Sequence, residues 1–353
     1  MKKITSLVII ILFTCISKLT AQATTVTNTA GTPISILIEG NELFIVESST
    51  DNITKIDITD TNPTPVVVST VCNIPAGLSI RSNELFISCT GGSIQKIDLS
   101  APFPPSTITD VVSSGLGNVT ESVLMGNDLY FIQLNGKISK VDVTLVTPVV
   151  IDLITGLPSN GLGIIIDGDD LYFSTFSGEI NKLDLSAVDP SSTLTTIISS
   201  LNFPAGMAIK EDYLYFAEAG NGKISRINIS QINPTPQEIV SGLMQPRDIL
   251  INDNDLFISD FNSNEILKFD LNTLSINENE INNRIVLHPN PSGNLLQISG
   301  LTKIESYKVY DSLGKEVMNG TLYPNKKVDI QNLTKGLYFL KIEDRDIVKF
   351  IKQ

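Results

Sequence analysis

Carboxylates are the reactive groups this chain holds in quantity. It has 38 Asp and Glu against 25 Lys and Arg, three Cys, no Trp and one His. Asp167, Asp169 and Asp170 flank Gly168 and resemble the oxygen donors of a calcium loop. The single imidazole, His288, stands near the C-terminus. That removes His-based triads and His-rich zinc sites from everything before it. Without Trp, the chain also lacks the commonest sugar-stacking platform. Past the leader the thiols reduce to Cys72 and Cys89. In an exported chain these two can close a disulfide.

Whether the aspartates do chemistry depends on what recurs. "DDLYFS" at 169 returns as "NELFIV" at 41, "NELFIS" at 83, "NDLYFI" at 127, "DYLYFA" at 212 and "NDLFIS" at 254. The aligned leucines, Leu43, Leu85, Leu129, Leu171, Leu214 and Leu256, are spaced 42 to 44 residues apart. A second series, from "ITKIDI" at 53 to "ILKFDL" at 266, follows each of them, and a short apolar run precedes each. Five units carry a fourth apolar run, such as "PVVVSTV" and "QEIVSGL"; the sixth lacks it. A spare strand, "TTVTNTA" at 24, lies at the other end of the array. Four strands per repeat of this length is the propeller signature, and a borrowed terminal strand is how such a ring closes. The expected fold is therefore all-β: a six-bladed β-propeller over 24–272, closed by its N-terminal strand. A polar linker over 273–284 and a small β-sandwich over 285–353 follow it.

In this alignment "DGDD" matches "EGNE", "RSNE", "MGND", "KEDY" and "NDND", all between two strands. Gly, Asn and Asp suit the positive φ of tight hairpins, so these aspartates are expected in turns and not on calcium. Lys55 and Asp57, with their equivalents, also recur around the ring and are expected as weak edge pairs. The second-strand aromatics, from Phe44 to Phe257, are expected as core between blades.

Function is then sought where blades differ. One propeller face, called here the upper face, gathers the starts of inner strands and the ends of second strands. The starts are Ile34, Ala76, Thr120, Leu162, Ala205 and Arg247; the ends are Glu47, Cys89, Gln133, Thr175, Glu218 and Asp260. Glu218, Asp260 and Glu47 fall in blades that adjoin once the ring closes. They are expected to form an acidic arc beside Arg247. The arc could be a structural pairing with Arg247 or a ligand-binding face extending over Gln133 and Thr175. No catalytic residue and no resident cofactor or metal is assigned; Ca²⁺ would fit only if the acids converge.

Two resemblances extend this reading. "FPAGMAI" and "SNGLGIIIDGDDLYFS" are similar to segments of NHL-type and gluconolactonase-like propellers, and the latter family would make Asn160 a metal ligand. The pattern departs at Ala205, where that family has Asp, and at "GTPISI", where it has Glu. Residues 285–353 carry "HPNPSGNLLQI", "VYDSLGKEV", "IQNLTKGLYFLKI" and "IVKFIKQ" in order, which resembles the type IX secretion system type A sorting domain. That resemblance implies passage through the type IX secretion machinery of a Bacteroidetes-type envelope. It makes His288, Pro289, Asn290 and Pro291 part of a sorting motif.

The opening "MKKITSLVIIILFTCISKLTAQA" reads as a secretory signal peptide over 1–23, with a lipoprotein start at Cys15 as the rival. No later run is long enough to span a bilayer, so no integral membrane segment is expected in the mature chain. The formal net charge of −13, more negative once the leader lysines are removed, disfavours nucleic acid as a partner. The sum is a secreted or outer-membrane surface-attached propeller that binds an unknown extracellular ligand or protein. The alternatives are a gluconolactonase-like hydrolase with a degenerate metal site, or a structural surface-layer component.

Overall fold

The computed structural model describes residues 23–101, 108–157, 159–274, 286–299, 304–323, 327–342 and 347–353. The expected signal peptide and most of the expected linker lie outside these residues. The described residues fall into two compact units divided between Leu271 and Asn272.

The first unit is a ring of six four-stranded antiparallel sheets. In blade one, Pro33–Glu39, Glu42–Glu47, Asn52–Asp57 and Val66–Thr70 succeed one another outward, and the next four blades repeat this order. Blade six has three strands of its own, Pro246–Asn252, Asp255–Asp260 and Glu265–Asp270. Thr24–Asn28 completes it, pairing antiparallel with Thr24 opposite Lys268 and Asn28 opposite Glu265. The closure is also apolar: Val26, Ile36, Leu43 and Ile45 share a core with Phe257 and Ile266.

Every second strand has the same burial pattern, one half-buried residue and then five buried ones. Both faces of a blade are covered by neighbouring blades, so a strand with no solvent face needs a continuous apolar run and not alternation. One fully buried phenyl ring per blade results: Phe44, Phe86, Phe131, Phe173, Phe216 and Phe257.

The repeated charges belong to this framework. The first turn residues, Gly40, Ser82, Gly126, Gly168, Glu211 and Asp253, all have positive φ, between 52° and 63°. "DGDD" is therefore the hairpin in which Asp167 pairs with Asp170. Each repeated lysine reaches the acid that opens the neighbouring strand: Lys96 Nζ lies 2.6 Å from Glu84, Lys140 2.6 Å from Asp128 and Lys182 2.5 Å from Asp170. The aspartate two places on turns away to cap its own turn. Asp57 accepts from the Thr59 amide and hydroxyl at 2.9 and 2.6 Å, and Asp98 does the same with Ser100. Blade five has Tyr213 where the others have an acid, and Arg226 lies over its ring at 4.1 Å. A cation–π contact occupies this position in blade five.

The second unit packs a three-stranded sheet and a four-stranded sheet on one core of Leu287, Leu296, Ile298, Tyr307, Val309, Leu340, Ile342 and Phe350, among others. Asn290 ties its start to its end. The side-chain amide oxygen accepts from the Ile351 amide at 2.9 Å, and its amide nitrogen donates to the Lys349 carbonyl at 3.3 Å. Ser292, fully buried, receives the Gln353 amide at 2.9 Å and donates its own amide to Ile351. The peptide bonds before Pro289 and Pro291 are both cis. The proline motif and the terminal strand thus form one structural piece.

Candidate functional site

Each inner strand begins with a break in register. Pro33 faces Glu47, but Ser35 faces Val46; the same skip occurs at Pro75/Gly77, Val119/Glu121 and Pro246/Asp248. Ile34, Ala76, Thr120 and Arg247 are these bulged residues. Just before each strand, loop N–H groups have no ladder partners, and they need acceptors.

The second-strand ends supply them, which corrects the expected acidic arc. Glu47, Glu218 and Asp260 are 0, 3 and 2% exposed. Glu47 accepts from the Gly31 amide at 2.9 Å and the Thr54 hydroxyl at 2.8 Å. Asp260 accepts from the Met244 and Gln245 amides at 2.8 and 2.6 Å. Glu218 accepts from Ser225 at 2.7 Å and pairs with Lys223 at 3.2 Å. Gln133 receives the Gly117 amide at 2.7 Å, and Thr175 meets the Ser177 hydroxyl at 2.9 Å. In blade two the same position is Cys89, bonded to Cys72 across a sequence separation of 17, with Cα atoms 6.1 Å apart. One task, stapling the loop before the inner strand, is thus done by Glu, Cys, Gln and Asp, while Thr175 bonds locally within its own turn. Glu47, Gln133, Glu218 and Asp260 are buried loop staples, held back from solvent by their partners, and Thr175 is buried beside Ser177. Among the described residues no three His, Cys, Asp or Glu side chains group as a metal ion needs. Asn160 is exposed, and its carbonyl accepts from the Phe176 amide.

Arg247 behaves differently. Its guanidinium carbon lies 5.0 Å from the Phe203 ring centroid and 5.5 Å from that of Phe261. Burial alone lowers its pKa; no carboxylate contributes. The expected pairing with an acid of the arc is absent because Asp260 is committed to two backbone amides. Phe176, 56% exposed, packs edge-on against Phe203 with centroids 4.6 Å apart. Phe203 holds φ at 54°, a region that a bulky residue rarely occupies. Sequence comparison passed over Phe176, Phe203 and Phe261 because they lie just outside the strands. Their signal was a departure from the other blades: Phe176 and Phe261 share one position, where the remaining blades have Ser48, Thr90, Leu134 and Ala219, and Phe203 aligns with Thr32, Asn118 and Gln245.

A second feature lies deeper. The residues just past the bulges are Ser35, Gly77, Glu121, Gly163, Gly206 and Asp248, one per blade at one level of the central channel. Ser35, Glu121, Gly206 and Asp248 border a cavity of about 370 Å³. The glycines make room: a Cβ on Gly77 would come within 2.2 Å of Glu121 Oε1, and one on Gly206 within 2.2 Å of Asp248 Oδ1. Asp248 accepts from the Ile36 and Ile249 amides at 2.9 and 2.8 Å, and Glu121 from the Ser122 amide at 2.9 Å. Burial, reinforced by the charge of Asp248, pushes the Glu121 carboxyl well above the usual range. Burial likewise pushes Asp248 up to about 6, against the pull of its amide donors. Both carboxyls therefore hold their protons to higher pH than isolated carboxylates do.

Comparison with known proteins agrees with this architecture. Residues 286–353 match the secretion system C-terminal sorting domain family. No curated protein matches the chain. Solved structures similar to it include a nidogen/laminin complex, at 17% identity and TM-score 0.55, covering 66% of this chain and 89% of that one. A Bacteroides thetaiotaomicron protein of unknown function aligns at 13% identity and TM-score 0.54, covering 70% and 75%. A catalytically inactive virginiamycin B lyase from Staphylococcus aureus, solved with quinupristin, aligns at 17% identity and TM-score 0.53, covering 71% and 98%. At such identities the likeness is one of fold. The chain is a six-bladed β-propeller followed by a type IX secretion system C-terminal sorting domain.

Proposed function

We propose that the protein is a non-catalytic binding module, delivered to the cell surface or beyond it by the type IX machinery. Its ligand site is the upper face of blades four to six around Arg247. The observation that carries this reading is a half-buried guanidinium lying against two phenyl rings with no acid beside it. A framework arginine would be paired, as Lys96, Lys140 and Lys182 are in the repeats. A half-buried charge with no acid beside it is costly, so its retention fits a site completed by something outside the chain. The hydrolase alternative gains nothing from Asn160, since no further ligands of a metal cage gather around it among the described residues.

The test has two arms. Deleting residues 286–353 should leave the protein in the periplasm; its normal appearance outside the cell would remove the export half. The purified protein should be probed on glycan and peptide arrays beside its Phe176→Ala variant. Binding should fall in the variant; hits unaffected by this exposed substitution would place the site elsewhere.

A further inference from the structure

We infer that the Arg247 site takes a carboxylate carried on a compact ring. This rests on the proposal that the upper face of blades four to six is the ligand site, and it specifies the ligand's chemistry.

The first argument is donor supply. The guanidinium has five N–H donors in a planar fork that matches a carboxylate with two parallel hydrogen bonds. The two phenyl rings lie at cation–π range and contribute no hydrogen-bond acceptor in the plane of the fork. No hydrogen bond or ion pair occupies it among the described residues, and burial alone shifts its pKa.

The second argument is that the protein cannot satisfy the fork itself. The acids nearest in sequence are both committed. Asp248 holds the Ile36 and Ile249 amides, and Asp260 holds those of Met244 and Gln245. Turning either acid toward Arg247 would strand two backbone donors, which costs more than an exposed ion pair returns.

The third argument concerns the body of the ligand. Phe176 presents more than half of its surface and packs edge-on against Phe203, whose ring lies 5.0 Å from the guanidinium carbon. Together they form an apolar edge next to a single cation, suited to the face of a ring. The overall charge of −13 selects against a polyanion, because every further charge would meet repulsion. A single ring-borne carboxylate meets both conditions. Aromatic acids and uronic acids share that chemistry.

The experiment titrates the mature full-length protein with sodium benzoate and sodium glucuronate, followed by NMR of the phenylalanine ring signals. Benzyl alcohol and glucose are the uncharged counterparts, and inorganic phosphate is the second anion. The expected result is saturable shifts for one or both carboxylates, weakened at least tenfold in Arg247→Met and weakened in Phe176→Ala. Benzoate alone would assign an aromatic acid and glucuronate alone a uronic acid; either supports the inference. Equal responses to charged and uncharged probes would overturn it, as would unchanged affinity in Arg247→Met or preference for phosphate. If an array ligand sensitive to Phe176→Ala is uncharged, the carboxylate assignment falls while the binding face stands. If no ligand is sensitive to Phe176→Ala, the face itself falls.

Discussion

Replacing Glu121 with Gln should stabilise the propeller at neutral pH. The side chain keeps its shape, and its amide oxygen can still accept from Ser122. What it loses is a charge facing Asp248 in the channel. Both carboxyls have folded-state pKa values raised by burial, Asp248 from 3.8 to about 6 and Glu121 well above its usual 4.5. A raised carboxyl binds its proton more tightly in the folded state. Its penalty is absent below the unfolded pKa and grows as pH rises toward and through the folded one. For Asp248 alone, a shift of about two units at 1.36 kcal/mol each is on the order of 3 kcal/mol in neutral solution. Glu121→Gln removes the Glu121 share and the mutual repulsion, so a gain of about 1–3 kcal/mol at pH 7.5 is expected. For a unit of this size that is roughly 3–9 °C in Tm. Calorimetry from pH 4.5 to 7.5, following the propeller transition, should show wild-type Tm falling with pH and a flatter profile in the variant. Parallel profiles, or a variant less stable than wild type at pH 7.5, would refute the account of two burial-raised carboxyls.

Three other expectations follow from the contacts. Cys72→Ser should lower stability by about 3 kcal/mol on the chain-entropy account of a loop this short, read by denaturant unfolding; an unchanged midpoint would remove the bond's contribution. Asp260→Ala should cost about 2–4 kcal/mol by stranding the Met244 and Gln245 amides, while the benzoate and glucuronate responses persist in the folded fraction. A loss of those responses with no loss of stability would restore Asp260 to the ligand site. Asn290→Ala should destabilise the sorting domain by about 1–2 kcal/mol, because it removes two hydrogen bonds that hold the terminal strand, and thermal melts of the full chain should show it in that domain's transition.

The ring was legible because it is built by repetition. A single leucine column, Leu43 to Leu256, locates every second strand, and the missing sixth outer strand with a spare strand at Thr24 predicts the closure seen opposite Lys268. The phenyl rings between blades follow from the same column. The lysine pairs were legible as framework but not in their partners. Sequence distance favours Lys182 with Asp184, whereas strand pairing sets Tyr172 opposite Lys182 and brings Asp170 within 2.5 Å of the lysine nitrogen.

The site was harder for a physical reason. Comparing blades separates framework from function only when one structural task uses one residue type. The loop staple uses Glu47, Cys89, Gln133, Glu218 and Asp260 in turn, because several kinds of oxygen, or a disulfide, can hold the same loop. Its variety imitates a specialised site. The channel column erred the other way: counting nine residues before the leucine lands on the bulged Thr120 and Arg247, and counting eight lands on Glu121 and Asp248. In a strand one position changes the direction of the side chain, and no pattern in the letters marks where a bulge inserts the extra residue. What does survive in the sequence is compensation. Gly77 and Gly206 precede blades whose carboxylates need the space that a Cβ would fill. A glycine in one repeat beside an acid in the next is therefore the more informative signal for a channel site than the acid alone.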